Sequence, residues 1–557
     1  MKEWNALKPD KDSINKLSVD LNVSKEIASL LVLRGITNYD EAESFFRPCL
    51  TKTYDPFLMK GMDIAVKRLN LARSDNQNIL VYGDYDVDGT TSVAMMYMFL
   101  LSQGMSVKYY IPDRHDEGYG ISRKGIDYAS ANEISLIISL DCGIRAIDQI
   151  EYAKQYSIDF IICDHHTPAK KMPNAYAILN PKQFDCKYPN KNLSGCGVGF
   201  KLITAYAIDN SIDINETYSY LGLLAISLIS DMVPITGENR IYAFHGLKRI
   251  NNSPKVGIKS LISIANRSNE IASSDILFGI APLINAAGRI SHAKEAVDLL
   301  VEECYDKAKV YAKNLYINNE ERKEVEKRVF HEASKMIDKE KMTNVVYAKS
   351  WHKGVVGIVA SKLTEVHYRP TIVFAENNGL FTGSARSVKG FDIYEAIKEC
   401  SFLCERFGGH KYAAGLSVRQ ENIKLFVEKF EEVVSNKIKR NQLIPVINID
   451  IDLEWGKINQ KFLRIIKQFA PFGPGNLKPI FSSSNIQLEA PPHYIGKDKS
   501  HVKLRLSHQS CVFDAIAFGF SHFFLTNNKN QLDLCYTIDE NNWNGKKSLQ
   551  INIKDVS

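Results

Sequence analysis

A chain of 557 residues, 45% of them hydrophobic, has room for three to four domains at about 150 residues each. Its ten cysteines show no paired spacing, which argues against a disulfide scaffold and for a reducing compartment. No apolar run approaches the ~20 residues of a membrane span, and a formal net charge of +6 over this length is too weak to assign a polyanionic partner by itself. The first residues, Met1-Lys-Glu-Trp-Asn5, lack the apolar stretch of a signal peptide, so a cytoplasmic protein is expected.

Residues 1–75 read as polar and helical, a cap on the catalytic domain that follows. From 76 to 240 strands alternate with helices, the pattern of a parallel sheet covered on both faces. Asn78-Ile-Leu-Val81 is an apolar strand that runs into Asp84-Tyr-Asp86-Val-Asp88-Gly89. Three carboxylates thus alternate on a loop at the carboxyl end of a strand, where open α/β sheets place ligand sites. No Lys or Arg in the segment compensates them. A divalent cation, which prefers hard oxygen ligands, is the simplest remedy, and a polar Asp-Gly turn is the plain alternative. The glycine-rich loop at 112–120 carries Arg114 and Tyr119, suited to line an entrance by phosphate contact and stacking; a simple mobile loop is the alternative.

The run Ile134–Leu140 ends in Asp141-Cys-Gly143, and Ile158–Cys163 ends in Asp164-His165-His166. Both have the continuous apolar character of strands buried on two faces. Leu221–Ser230, strand or helix by its length, ends in Asp231-Met-Val-Pro234. Acids and histidines delivered repeatedly to one end of a sheet point to a metal centre with Asp84, Asp86, Asp88, Asp141, His165 and Asp231 as ligands. These exceed what one ion takes from protein, so two ions are expected, with Asp141 bridging. The oxygen-rich set favours manganese or magnesium over iron and zinc. Two such ions, roughly 3.5–4 Å apart, polarise a phosphoryl group, activate water and stabilise a leaving oxygen. Asp86, Asp88, Asp141, His165, His166 and Asp231 form the expected catalytic set. Asp164 is expected to orient its neighbours rather than ligate, and Cys142 and Cys163 to fill core space.

Residues 241–342 are helix-rich, and Val325, Val329, Ala333 and Ile337 recur amid charged residues as one buried stripe on a long connecting helix. Residues 343–440 form a second α/β piece. Its strands are Asn344–Ala348 and Pro370–Phe374, Gly383-Ser384-Ala-Arg386-Ser387 follows another short strand, and Phe407-Gly-Gly-His410 opens a glycine-rich stretch. Glycines admit backbone amides close to an anion and Arg can hold phosphate through two parallel hydrogen bonds, although Gly-Gly-His alone is no more than a turn. From 441 to 557, Ile447, Ile449, Ile451 and Leu453 alternate with polar residues, as do Val502, Leu504 and Leu506, and Leu549, Ile551 and Ile553. Period two suits an OB-like barrel, and His493, Tyr494, Lys497, Lys499, Lys503 and Arg505 offer a basic, aromatic surface for single strands. A purely structural β-domain is the alternative.

In order along the chain, Asp84-Tyr-Asp-Val-Asp-Gly89, Asp141-Cys-Gly143, Asp164-His-His166 and Asp231-Met-Val-Pro234 resemble the four motifs of the DHH phosphoesterase superfamily. Six further segments extend the resemblance over nearly the whole chain, to the RecJ family of bacterial single-strand-specific 5′→3′ DNA exonucleases. They are Pro112–Gly120, Leu193–Gly199, Asn285–Arg289, Gly383–Ser387, Phe407–His410 and Pro471–Asn476. The resemblance implies an α/β fold class in which 76–240 is the DHH domain, 241–342 a helical connector, 343–440 the DHH-associated domain and 441–557 the single-strand-binding domain. By the same resemblance Ser384, Arg386 and His410, joined by Arg289, would hold substrate phosphate opposite the metals. Without it Arg289 reads as a surface or salt-bridged arginine. The implied enzyme is a monomer acting on single-stranded DNA in repair and recombination, releasing 5′-mononucleotides, with a helicase and a single-strand-binding protein as partners. Polarity and preference for DNA come from the resemblance alone. A small-molecule phosphoesterase of the superfamily, acting on dinucleotides, nucleoside bisphosphates or pyrophosphate, is disfavoured by the C-terminal β-domain and Pro471–Asn476. A non-catalytic scaffold is disfavoured because every metal position holds a competent ligand.

Overall fold

The apolar runs ahead of three of the acidic motifs are strands of one parallel sheet. The computed structural model describes residues 2–557 apart from 115, 268, 269, 378, 528, 529, 544 and 545. In it β1 (Asn78–Gly83), β2 (Val107–Tyr110), β3 (Ile134–Leu140), β4 (Asp159–Cys163) and β5 (Ala177–Leu179) lie in the order β2-β1-β3-β4-β5, all parallel. Ile137 and Ile138 point to opposite faces and are both fully buried, as are Ile161 and Ile162, so layers cover the sheet on both sides. Strand order reverses between β1 and β3, the position at which doubly wound sheets bind ligands.

Helices α1 (Val87–Ser102), α2 (Gly195–Asp209) and α3 (Leu221–Ser230) pack on one another beside this sheet. The Leu221–Ser230 ambiguity resolves as a helix, and Leu221 through Ile229 are all buried. A helix that is apolar all round needs neighbours all round, and here it has them. The fourth acid, Asp231, therefore arrives at a helix C-cap rather than at a strand end. Cys142 and Cys163 are fully buried core residues, as expected.

The N-terminal region divides instead of forming one cap on the catalytic domain. Helices Lys11–Leu21, Lys25–Val32 and Tyr39–Phe46 begin with the side-chain caps Asp10, Ser24 and Asn38. Their buried Leu17, Leu30, Leu31 and Ala42 share a hydrophobic core with Trp455, Phe462, Phe481, Leu504 and Ile551 of the C-terminal domain. The helix Met62–Ser74 and the short turn Pro56–Leu58 pack on the parallel-sheet domain instead. An apolar helix face shows that it will be buried, not against which partner.

By its contacts the chain forms two units: Trp4–Ala281 with Val297–Ala308 and Ile447–Ser557, and Pro282–Ala296 with Lys309–Val446 and the residues before Trp4. In the second, the long helix α4 (Tyr305–Lys335) buries the expected stripe, with Val329 and Ala333 inside and Val325 and Ile337 packed beside them against Val346, Val359 and Val373. Its sheet runs β9-β10-β8-β7-β6, from β6 (Asn344–Ala348), β7 (Thr371–Asn377), β8 (Leu380–Arg386), β9 (Cys404–His410) and β10 (Ala413–Arg419). Helix α5 (Val356–His367) packs on β7 and β8. Two expectations change here. Ser384 and Arg386 lie within a strand rather than after one, and Phe407–His410 is the end of a strand in a tight hairpin, not a turn.

The C-terminal strands are β11 (Ile451–Asp452), β12 (Phe481–Leu488), β13 (His493–Ile495), β14 (His501–His508), β15 (Cys511–Ala517), β16 (Gln531–Trp543) and β17 (Lys546–Val556). They run β11-β12-β16-β17-β15-β14-β13, and β12 pairs with β14 as well, closing a ring of strands. Val502, Leu504 and Leu506 point inward while Lys503 and Arg505 face solvent, as period two requires.

Candidate active site

Each acidic motif is held by backbone geometry at the carboxyl end of the parallel sheet. Asp86 is the N-cap of α1, its Oδ1 accepting from the Gly89 N–H at 3.1 Å. Asp88, in the first turn of the same helix, reaches across to the start of α2. Its Oδ2 accepts from Gly195 N at 2.6 Å, and its Oδ1 accepts from Cys196 N at 2.9 Å and from Ser227 Oγ at 2.6 Å. These donors fix the carboxylate's orientation, and Ser194 Oγ supports Ser227 at 2.6 Å. Two glycines allow the crowding: a Cβ on Gly195 would meet Asp141 Cβ at 2.5 Å, and one on Gly89 would meet the Asp84 carbonyl at 2.3 Å.

Asp141 follows β3 with φ of 60° and Met232 follows Asp231 with φ of 59°. Left-handed backbone at such residues costs on the order of 1–3 kcal/mol each and concentrates at functional sites. His165 Nε2 lies 3.1 Å from Asp141 Oδ1, 3.7 Å from Asp231 Oδ2 and 3.8 Å from Asp88 Oδ2. His166 Nδ1 lies 3.8 Å from Asp141 Oδ1. Two triplets result, Asp141–His165–His166 and Asp88–His165–Asp231, each with donor atoms within 4.8 Å of one another. Asp84 and Asp86 lie outside both triplets, Asp84 with a buried Oδ1 that no hydrogen bond satisfies.

Asp164 engages both carboxylate oxygens in hydrogen bonds. Its Oδ1 accepts from His165 N, His166 N and His166 Nδ1 at 2.7, 3.0 and 2.8 Å, and its Oδ2 accepts from Ile144 N at 2.9 Å. Burial opposes its charge, but these bonds hold its pKa down at about 2. Tyr119 donates its hydroxyl to the Asp141 carbonyl at 3.0 Å and sits edge-on to His166, leaving its ring largely exposed. Arg114 stacks 4.6 Å above the Tyr85 ring and its charge reaches Asp84 and Asp86. A cation from a distant loop thus tempers acids that have no local partner.

Burial and then mutual repulsion raise the pKa of Asp84, Asp86 and Asp141, and push Asp231 up to about 9. Burial lowers His165, favouring the neutral imidazole that ligates metal. His166 is raised: burial opposes its charge most strongly, but the hydrogen bond to Asp164 and the attraction of Asp164, Asp88 and Asp86 together outweigh it. This donor set suits a divalent cation. Asp84 Oδ1 and Asp141 Oδ1 are buried without hydrogen bonds, and repelling carboxylates converge on a neutral imidazole.

A raised carboxylate pKa has a definite sign in stability. Between 3.8, the ordinary Asp value, and about 9, the folded metal-free protein keeps a proton on Asp231 that the unfolded chain releases, so stability falls as pH rises. Metal must displace that proton. The Tm of metal-free protein should therefore fall between about pH 5 and 9, and the Tm gained on adding manganese should grow over the same interval. A gain independent of pH would show that the carboxylates are already ionised without metal.

In the second unit, Arg386 Nη1 donates to Ser384 Oγ at 3.0 Å and Nε donates to Ser361 Oγ of α5 at 3.1 Å. Arg289 Nη1 donates to the Gly354 carbonyl at 3.0 Å, just before α5. The first turn of α5 has no side-chain cap, and a Cβ on its Gly357 would lie 3.2 Å from Ser384 Oγ. His410 pairs with Ala413, which pairs with Arg386, so both residues share one row across the sheet. His410 is exposed, and burial lowers the Arg386 pKa. An uncapped helix start beside two guanidinium groups has the chemistry of an anion site.

Sequence reasoning missed several supporting residues. The helix start Gly354-Val-Val-Gly357 carried a signal in its flanking glycines, Ser194 and Gly195 lay inside the Leu193–Gly199 segment without an assigned role, and Ser227 carried no signal beyond small size. Asn180 and Lys182, directly after β5, also escaped notice although every other strand end in the site had been read.

Three domain families match the chain: the DHH family N-terminal domain over residues 78–228, the DHHA1 domain over 342–436 and the RecJ OB domain over 449–555. The chain is 36% identical to the single-stranded-DNA-specific exonuclease RecJ of Bacillus subtilis, covering 100% of this chain and 70% of that protein. It is 32% identical to the Escherichia coli protein of the same name, covering 95% of each. The chain belongs to the RecJ family. The crystal structure of RecJ from Thermus thermophilus in complex with Mn2+ matches with a TM-score of 0.87 at 25% identity, covering 100% of this chain and 79% of that one. A crystal structure of exonuclease RecJ bound to manganese matches with a TM-score of 0.61 at 29% identity, covering 68% of this chain and 96% of that one.

Proposed function

We propose that this RecJ-family protein is a metal-dependent exonuclease that hydrolyses phosphodiester bonds of single-stranded DNA from the 5′ end, releasing 5′-mononucleotides in DNA repair and recombination. The observation that carries this reading is the pair of ligand triplets sharing His165 at the carboxyl end of the sheet. Asp88, Asp141, His165 and Asp231 would hold two manganese or magnesium ions, with Asp141 between them and Asp84 and Asp86 completing the set. Ions held there polarise a phosphoryl oxygen and stabilise the leaving oxygen. Asp164 fixes His166 and the backbone of both histidines, so the imidazoles stay in place as substrate enters. Tyr119 and Arg114 present a ring and a cation beside the acids, suited to the first base and phosphate of a strand.

In this reading 76–240 is the catalytic domain, 241–342 a connector, 343–440 the phosphate-holding domain and 441–557 the single-strand platform, with the 1–75 segment shared as described. Arg289, Ser384, Arg386 and His410 hold substrate phosphate. The names of the relatives and the OB-domain match support single-stranded DNA as substrate. A monomer in the cytoplasm, cooperating with a helicase and a single-strand-binding protein, completes the proposal. No described helix is long and apolar enough to cross a membrane.

Arg386→Ala should keep metal stoichiometry and lower kcat/KM by about 10–100-fold, the value of one charge-assisted phosphate contact. Loss of bound metal in that variant would misplace the residue. The proposed activity itself is tested by single-stranded and blunt duplex DNA with and without chelator. Hydrolysis of the single strand that chelator stops and manganese restores is expected, and chelator-resistant hydrolysis would refute the metal centre.

A further inference from the structure

The loop after β5 brings a cation to the metal centre that no acidic motif announces. Asn180 is fully buried, and its side chain donates from Nδ2 to the His166 carbonyl at 2.9 Å while its Oδ1 accepts from Lys182 N at 2.8 Å. One amide thus ties Lys182 to the DHH loop. The tie is rigid: Asp164 N donates to the Leu179 carbonyl at 3.0 Å, and Gln183 Nε2 bonds the Ile178 carbonyl at 3.0 Å. The Lys182 side chain is half-buried, and its charge is felt by Asp231, Asp164 and His165. Among the described residues its ammonium makes no hydrogen bond and no ion pair.

A half-buried ammonium that faces acids without touching one is costly unless an anion completes it. A metal ion on Asp231 would take up that carboxylate's negative charge, and Asp164 already engages both its oxygens with Ile144, His165 and His166. The anion then left to bind it is the one that enters with substrate. We infer that Lys182 contacts the substrate directly, its ammonium holding a non-bridging oxygen of the phosphodiester presented to the Asp88–His165–Asp231 end of the site. The inference rests on the phosphodiesterase reading of that site. It adds a charge contributed by the same rigid loop that positions the DHH histidines, so phosphate and ligands are held in one register.

The test compares wild type, Lys182→Gln and Lys182→Arg in the full chain. Manganese stoichiometry, kcat/KM on single-stranded DNA and on bis(p-nitrophenyl) phosphate, and strand affinity against salt with calcium replacing manganese are measured. Lys182→Gln should bind manganese as wild type does and lose about 10–100-fold in kcat/KM on both substrates. Its log–log salt slope for strand binding should be shallower by about 0.7. Lys182→Arg should recover most of the rate. Unchanged kcat/KM in Lys182→Gln would overturn the inference, whether or not the slope changes. So would loss of manganese, which would make Lys182 an organiser of the carboxylates. If wild type cleaves the model diester but not DNA, the exonuclease reading fails while the model diester still decides Lys182.

Discussion

Asp141→Ala should abolish hydrolysis, lowering kcat/KM by about 10³-fold or more, yet leave the metal-free protein at least as stable as wild type. Asp141 is buried and repelled by Asp88, Asp86, Asp231 and Asp84, so removing it relieves repulsion that a cation or a bound proton otherwise offsets. Alanine also leaves the neighbouring Gly195 its space. Asp86→Asn should lose activity by the same logic and keep its fold, because asparagine caps a helix as well as aspartate does. Tm in chelator and turnover in manganese separate the two effects. Substantial turnover by Asp141→Ala under excess manganese would rule out the bridging role proposed for it.

Arg240→Ala should cost about 3 kcal/mol or more in stability without touching the chemistry. The Arg240 guanidinium is buried, lies over the Phe45 ring and donates to the carbonyls of Phe45, Gln468, Phe469, Ala470 and Pro471. Alanine would leave the Phe45, Gln468 and Ala470 carbonyls without the donor that the guanidinium supplies. The segment Pro471–Asn476 is thereby a structural joint. Pro474 accepts from Ile235 N at 2.7 Å, Asn476 donates back to Phe469 and Pro471, and Arg34 bonds Asn476 Oδ1 at 2.9 Å. Urea unfolding of Arg240→Ala checks the effect, and a change under 1 kcal/mol would show that water replaces the guanidinium. Removing the C-terminal domain near residue 442 would strip both this joint and the core that Leu17, Leu30 and Leu31 share with it. The nucleic-acid role of that domain is better tested with Lys503→Ala and Arg505→Ala, whose exposed positions on β14 are separate from that core. Each lost phosphate contact should flatten the salt slope by about 0.7.

The cluster of candidate ligands was legible because its acids and histidines follow continuous apolar runs, and a parallel sheet delivers its strand ends to one edge. Asp84, Asp141 and His165 needed no more than that rule. Asp231 was found by its place after an apolar run, although the run is a helix, since apolarity reports burial and not backbone shape. Register and side-chain supply were not legible. Nothing local says that Ser227 and the first amides of α2 would hold Asp88, or that Arg114 would lie within reach of Asp84, because these meetings are made by distant packing. Phe407–His410 looked like a turn because glycine weakens strand propensity, and pairing with β10 overrode it. Residues 1–75 read as a polar, helical cap on the catalytic domain, because nothing local reveals that the buried side of helix 11–21 belongs to the C-terminal core.

The most direct test of the proposed function gives purified protein and manganese single strands of DNA and RNA labelled at the 5′ or the 3′ end, and follows products with time. Immediate release of labelled mononucleotide from 5′-labelled DNA is expected, with progressive shortening of 3′-labelled DNA and little action on RNA. Inert long strands beside rapid hydrolysis of dinucleotides would contradict an exonuclease and identify a small-molecule phosphoesterase instead.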